Sequence, residues 1–259
     1  MKIAIVGFGK MGHMIKNSAE NFGHEVVCTV DPVAKDADSK VEQGDYEAVA
    51  KAVKESGAEG IIEFSHPSAV LGNIKALIPL GLPLVIGTTG WNDKKDEIKE
   101  LLSKTDGVAM TSANFSIGVN LLYKIIDEAA KLVSAFDEYD ASVFEIHHNQ
   151  KADSPSGTAL DIAKHLMANY PKKTQIVTES FHERPKAEEL HVASMRLGSV
   201  PGTHTVYFDS NADTIEITHR ARSREGFANG AVHALERLSD GIKNGSLQRG
   251  KLFEMKDLF

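Results

Sequence analysis

The segment Glu145-Ile146-His147-His148-Asn149-Gln150-Lys151-Ala152-Asp153-Ser154-Pro155-Ser156-Gly157-Thr158-Ala159-Leu160 gathers an unusual set of reactive side chains. It leaves a predicted strand and enters a predicted helix. Histidine is the side chain most readily tuned to transfer protons near neutral pH. Lys151 adds a fixed positive charge close to His147 and His148. Ser156, Gly157 and Thr158, at the helix start, offer hydroxyls and backbone N–H groups that suit a carboxylate. This chemistry describes a site for a small anionic substrate that takes up a proton. The alternative is a polar strand end, solvated histidines and an ordinary capped helix. A zinc site is not indicated, because beyond Glu145 and Asp153 the run has neither a cysteine pair nor an HExxH pattern.

A second set lies at the N-terminus. Gly7-Phe8-Gly9-Lys10-Met11-Gly12 reads G-x-G-x-x-G after a short apolar run and before a helical pattern. In a dinucleotide-binding turn Gly7 makes the tight bend, Gly9 lets the backbone approach a pyrophosphate, and Gly12 lets helix and strand pack closely. The helix N-terminus then presents N–H groups and partial positive charge to the anion. Asp31 follows at the distance, about 20 residues, where an acid can bind the adenosine ribose. The alternative is a plain glycine turn with a chance acid downstream. A carboxylate at this point repels the extra phosphate of NADP, and Pro32, not an arginine, comes next. Lys35 is near enough to moderate this, so the expectation leans to NADH over NADPH without excluding the latter. Gly87-Thr88-Thr89-Gly90 and Ser112-Ala113-Asn114-Phe115 fall where two further strands end, which is where ligands lie in an open α/β sheet. Either loop reads equally well as a nicotinamide contact or as ordinary loop chemistry.

Elements that position these groups follow from the apolar pattern. Residues 2–6, 25–30, 60–64, 83–86 and 107–111 are short, Val- and Ile-rich and non-alternating, as strands buried on both faces of a parallel sheet are. Met11, Met14, Ile15, Ser18 or Ala19, and Phe22 recur at helical spacing between the first two. Such strand–helix repetition predicts a Rossmann-like, doubly wound parallel sheet. After Phe115 the pattern changes. A helix through Leu121, Leu122, Ile125, Ile126, Ala129 and Val133 precedes better-alternating strands at 141–146, 190–197, 203–208 and 214–219, with one helix near 158–170. That predicts an α+β domain with an open mixed sheet. A last helix carries Ala228, Ala231, Val232, Leu235, Leu238 and Ile242 on one stripe.

Composition sets the outer limits. The chain has 259 residues, 42% apolar and 25% charged, which fits one or two globular domains. A net charge of −7 disfavours nucleic acid as a partner. Cys28 is the one cysteine, which excludes an internal disulfide and reads as a buried small hydrophobe. No apolar run reaches the length needed to span a bilayer, and the N-terminal apolar run ends too soon for a signal peptide, so the expected location is the cytoplasm.

The run His147-His148-x-x-Lys151-x-Asp153-Ser154-Pro155-Ser156-Gly157-Thr158 resembles the signature of the 4-hydroxy-tetrahydrodipicolinate reductase (dihydrodipicolinate reductase) family of lysine biosynthesis. Gly7–Gly12, Glu63-Phe64-Ser65, Gly87–Gly90, Ala113–Asn120, and the stretches 217–221 and 227–231 resemble family segments in the family's order, over essentially the whole chain. Ser154 stands where alanine is usual, Glu63 where aspartate is common, and Pro32 where some members carry a basic residue. The resemblance implies an NAD(P)H-dependent reduction of a cyclic imine dicarboxylate in the diaminopimelate route. Hydride would go to ring carbon four and a proton to carbon three. It implies His147 as the general acid, assisted by Lys151, with positive charge on both offsetting the substrate. His148, Ser156, Gly157 and Thr158 would bind the substrate. Gly7, Phe8, Gly9, Lys10, Met11, Gly12, Asp31, Gly87, Thr88, Thr89, Ser112, Ala113, Asn114, Phe115 and Arg220 would contact the cofactor, and no metal is implied. The implied architecture is a dinucleotide-binding domain from residues 1–115 and 220–259, a substrate and oligomerisation domain from 116–219, a hinge near Phe115 and Arg220, and a homotetramer. Other readings are another two-domain amino-acid or semialdehyde dehydrogenase, which is not expected to carry this signature, and a non-catalytic dinucleotide sensor, which would lose His147 or Lys151.

Overall fold

The computed structural model describes residues 1–258 and divides into two compact units. Unit 1 comprises Met1–Ile117 and Glu225–Phe259, and unit 2 comprises Gly118–Arg224.

Unit 1 contains β1 (Lys2–Val6), α1 (Lys10–Asn21), β2 (Glu25–Val30), α2 (Tyr46–Glu55), β3 (Gly60–Glu63), α3 (Val70–Leu77), β4 (Leu84–Ile86), α4 (Lys95–Thr105) and β5 (Val108–Thr111). The chain returns to it through α7 (Glu225–Lys243) and β11 (Lys251–Glu254). The strands form a six-stranded, wholly parallel sheet in the order β11-β5-β4-β3-β1-β2. Non-alternating sequence is what such a sheet requires. In β1, Ile3 and Ile5 enter one core with α1 and α7, while Ala4 and Val6 enter the other with α2, α3 and α4. Strand order reverses between β1 and β3, so the crevice beyond β1 is the expected ligand position of a doubly wound sheet.

Close approach is built from small residues. A Cβ on Gly12 would lie 2.3 Å from the Gly7 carbonyl oxygen, and one on Gly230 of α7 would lie 1.7 Å from that of Phe115. α1 and α7 are further joined by a hydrogen bond from Ser18 Oγ to Asn229 Oδ1 (2.8 Å).

Unit 2 contains α5 (Ile117–Val133, all but its first residue), β6 (Asp140–His147), α6 (Gly157–Asn169), β7 (Gln175–Val177), β8 (Glu189–Arg196), β9 (Thr203–Asp209) and β10 (Thr214–Arg220). Its five strands run β10-β9-β6-β8-β7, with β6, β7 and β8 parallel and β9 and β10 antiparallel to their neighbours. This is the mixed sheet that the alternating pattern predicts. Ala141 and Val143 of β6 pack with Leu122 and Ile126 of α5 and Ile162 and Leu166 of α6.

The predicted strands all occur, with ends moved by about one residue. Phe22 lies beyond the end of α1, is 39% exposed, and stacks on His233 instead of closing the apolar stripe. β7 and β11 escape the sequence pattern because each is only three or four residues long. Cys28 is buried and unpaired. Among the described residues no helix is long and apolar enough to cross a membrane.

Candidate active site

Alternation along β6 decides where its reactive end points. Ala141, Val143, Glu145 and His147 share one parity and are buried, so Glu145 and His147 continue the apolar face to the end of the strand. Glu145 is fully buried, and a buried carboxylate must be paired. Its Oε1 accepts from the Ser156 N–H (2.9 Å) and from Arg196 Nη2 (3.0 Å). Its Oε2 accepts from the Ser156 hydroxyl and lies 3.5 Å from His204 Nε2. These donors outweigh burial, which alone would push the carboxyl up, and hold it well below the usual carboxylate range.

His147 Nδ1 lies 3.1 Å from Glu145 Oε2, yet it makes no hydrogen bond. Proximity without alignment leaves an electrostatic contact. Burial pushes the His147 pKa down, Glu145 opposes that, and His204, Lys151 and Arg196 add to the fall, leaving it at about 4. In the ligand-free site the positive charge on His147 is thereby disfavoured. Burial and three cationic or ionisable neighbours outweigh one carboxylate.

After His147 the chain turns, with the Lys151 N–H on the His148 carbonyl (3.1 Å). Lys151 Nζ pairs with Asp153 Oδ1 at 2.7 Å, and His148 is half-buried. A cis Ser154–Pro155 peptide leads into α6. Ser156 caps that helix, accepting from the Ala159 N–H, and also binds Glu145 through both its N–H and its hydroxyl. Its side chain is thus committed to the framework. Gly157 is exposed with nothing within 4 Å of where a Cβ would sit, so a ligand has room beside the positive end of α6. Thr158 follows in the first turn, where the Tyr123 hydroxyl bonds its side chain.

Two members of this cluster, Arg196 on β8 and His204 on β9, were not singled out from the sequence. Each lies far from residues 145–158 in the chain, and only the register places Arg196 beside His147 and His204 beside Glu145. Glu145, His147 and His204 bring ligand-type atoms within 4.8 Å of one another. Arg196 and Ser156 already engage both oxygens of Glu145, so the set reads as an ionic network and not as a metal centre.

In unit 1, Gly7 has φ +94° and donates its N–H to the Val30 carbonyl (2.8 Å), and a Cβ there would meet the Phe64 carbonyl oxygen at 2.2 Å. Only glycine fits this bend. α1 begins at Lys10 with Gly9 as its cap and no side-chain capping bond, and a Cβ on Gly9 would meet nothing within 4 Å. That is an open, uncapped helix N-terminus suited to an anion. Lys10 is exposed, Met11 packs on the core beside Gly12, and Phe8 is a core residue stacked on His13.

Asp31 directly follows β2. Its Oδ2 accepts from the Phe8 N–H (2.8 Å), and its Oδ1 accepts from those of Val33 (2.8 Å) and Ala34 (2.9 Å). Burial pushes its pKa up, but the three amides more than offset that and lower it. Beside it is a cavity of about 320 Å³ lined by Gly7, Gly9, Asp31, Val41, Tyr46 and Phe64 among others. The Thr88 side chain is buried and hydrogen-bonds the buried Glu63 carboxylate, and Thr89 is exposed. Gly87 is required by packing, since a Cβ there would lie 2.0 Å from the Phe64 ring. Ser112 and Asn114 close their own loop, the Asn114 N–H donating to Ser112 Oγ (3.1 Å) and the Ser116 N–H to Asn114 Oδ1 (2.9 Å). Ala113 lies within that loop, and the Phe115 side chain is in the core. Arg220 ends β10, exposed, in unit 2.

Comparison with known proteins agrees over the full length. The pattern described as “Dihydrodipicolinate reductase, N-terminus” matches residues 1–115, and “Dihydrodipicolinate reductase, C-terminus” matches 118–259. A 4-hydroxy-tetrahydrodipicolinate reductase of Christiangramia forsetii is 36% identical, covering 100% of this chain and 97% of its own. One of Staphylococcus aureus is 34% identical over 92% and 95%. Among solved structures, a dipicolinate-bound dihydrodipicolinate reductase from Paenisporosarcina sp. TG-14 shares the fold with a TM-score of 0.74 at 20% identity, covering 98% of this chain and 97% of that one. The chain belongs to the dihydrodipicolinate reductase family.

Proposed function

We propose that this protein reduces 4-hydroxy-tetrahydrodipicolinate to tetrahydrodipicolinate with a reduced nicotinamide nucleotide, as a cytoplasmic step of the diaminopimelate route to lysine. The observation that carries the reading is the buried Glu145–His147 pair at the mouth of α6, next to Lys151. A dinucleotide fits unit 1: the N-terminus of α1 is uncapped, Gly9 is open, and a cavity adjoins Asp31. The bound cofactor supplies the hydride. Gly7, Phe8, Gly9, Lys10, Met11 and Gly12 form the pyrophosphate turn, and Asp31 receives the ribose. Thr88, Thr89 and the 112–115 loop are the nicotinamide contacts, with Arg220 a further cofactor contact.

His147 donates the proton to carbon three. Burial lowers its pKa in the free site, and the two carboxylates of the substrate favour the protonated ring. Lys151 stabilises the negative charge left by hydride addition. His148, Gly157 and Thr158 hold a carboxylate at the start of α6, and Ser156 serves them through the framework. NADH is preferred, because the carboxylate of Asp31 is fixed by three amides and cannot turn away from a 2′-phosphate. The exposed apolar side chains Met195, Leu197 and Ile215 of unit 2 support self-association, and the state we expect is a homotetramer.

The test is an assay in which a synthase makes the unstable substrate in place from pyruvate and aspartate semialdehyde. Oxidation of the nucleotide should require both synthase and this protein, with kcat/KM higher for NADH. Cofactor binding without oxidation would reject the reading in favour of another substrate or a sensor.

A further inference from the structure

We propose that Glu145 is the positioning residue of this site, holding a negative charge beside the His147 ring and fixing in place the helix start that receives the substrate carboxylate. The choice of His147 as acid rests on the proposed function; the rest stands on the geometry of unit 2 alone.

Four segments converge on this one carboxylate: its own strand β6, the α6 cap at Ser156, β8 through Arg196 and β9 through His204. Nothing about a surface ion pair requires such convergence, and Glu145 has no exposure to solvent. Arg196 extends the network, donating from Nε to the Lys151 carbonyl (3.2 Å) and from Nη2 to the Asp153 carbonyl. The lysine loop and the α6 N-terminus are therefore fastened to one group, whose charge lies beside His147.

The charges facing His147 can be named in full from the packed elements. Glu145 is on its own strand, Arg196 on β8, His204 on β9 and Lys151 in the following loop. His219 on β10 sits across from His204 and Gly202 lies against His147 Nε2. Of the electrostatic neighbours, Glu145 favours a proton on His147, while His204, Lys151 and Arg196 disfavour it. His204, Ser156 and Arg196 in turn keep Glu145 ionised, so the proton does not pass from His147 to Glu145. Glu145 and Arg196 thus act on His147 in opposite directions although they are bonded to each other. Any ion pair beside the ring would do this, and what a merely structural pair would not do is change kcat while leaving the nucleotide KM in place.

That opposition is the test. The His147 imidazole is titrated by NMR in ligand-free wild type, E145Q, R196Q and R196K. R196Q should raise the His147 midpoint by roughly one pH unit, R196K should leave it in place, and E145Q should keep the ring neutral down to the acid limit of the fold. In turnover, E145Q should lower kcat by about tenfold or more with the nucleotide KM unchanged. Equal or same-direction shifts in the two glutamine variants would overturn the proposal, as would an E145Q enzyme of wild-type kcat. Should E145Q not fold, E145D, which keeps the charge and shortens its reach, still decides: wild-type kcat in it rejects the positioning role. Failure of wild type in the synthase-coupled assay would remove the reductase reading while leaving opposed NMR shifts intact.

Discussion

Asp31 is the residue whose sequence reading gained most from its surroundings. Its type and distance from the glycine turn suggest a ribose contact, but they do not show that three backbone N–H groups already hold the carboxylate. A carboxylate has about four acceptor positions, so one remains for a hydroxyl, and its charge is kept. D31S removes that charge. We expect the ratio of kcat/KM for NADPH over NADH to rise at least about tenfold, since one like-charge contact is worth roughly 1.4 kcal/mol or more when partly buried. Taking the ratio within the variant cancels any damage to the turn, and an unchanged ratio would show that Asp31 does not choose the cofactor. The grouping of His147, His148, Lys151 and Ser156–Thr158 is visible in type and spacing, while only the family resemblance separates His147 from His148. Arg196 and His204 were not, because their function depends on which strand lies beside β6, and pairing register is not written locally.

At the scale of elements, glycine positions separate binding from packing. Gly9 opens on empty space at the start of α1, whereas Gly230 of α7 lies against the Phe115 carbonyl. G9A should leave thermal stability within a few degrees of wild type and weaken nucleotide affinity, because the added methyl occupies the ligand's approach. G230A should lower Tm markedly, by a loss of about 2 kcal/mol or more, as overpacking does. Calorimetry and nucleotide titration on both variants check this, and a reversed pattern would refute the assignment of the α1 N-terminus. The long, periodic α5 and α7 and the buried strands of unit 1 were legible because burial on two faces excludes polar residues. β7 and β11 were not, since Gln175–Val177 and Lys251–Glu254 are too short to show a period and form by joining an existing edge.

For the whole molecule, the buried ionisable groups make stability depend on pH. His147 falls from its ordinary 6.5 to about 4 on folding, so the unfolded chain binds the extra proton between those values and stability drops as pH falls through that window. Glu145 and Asp31, both lowered, contribute stability that is present above the unfolded carboxylate range and lost below it. Buried Glu63 is raised and works in the opposite sense, its linkage lowering stability as pH rises through the carboxylate range. H147Q removes only the first of these. Its stability should therefore vary less than wild type between pH 6.5 and 4, by at most about 3 kcal/mol, as denaturant titrations across the range would show.

On the proposed function the nucleotide is held chiefly by unit 1 and the proton is supplied from unit 2. That division is tested most directly by measuring turnover and NADH affinity together in H147Q. The account predicts that kcat falls by about 10² or more while the NADH Kd stays within about twofold of wild type. A kcat near that of wild type, or a parallel loss of NADH affinity, would contradict it.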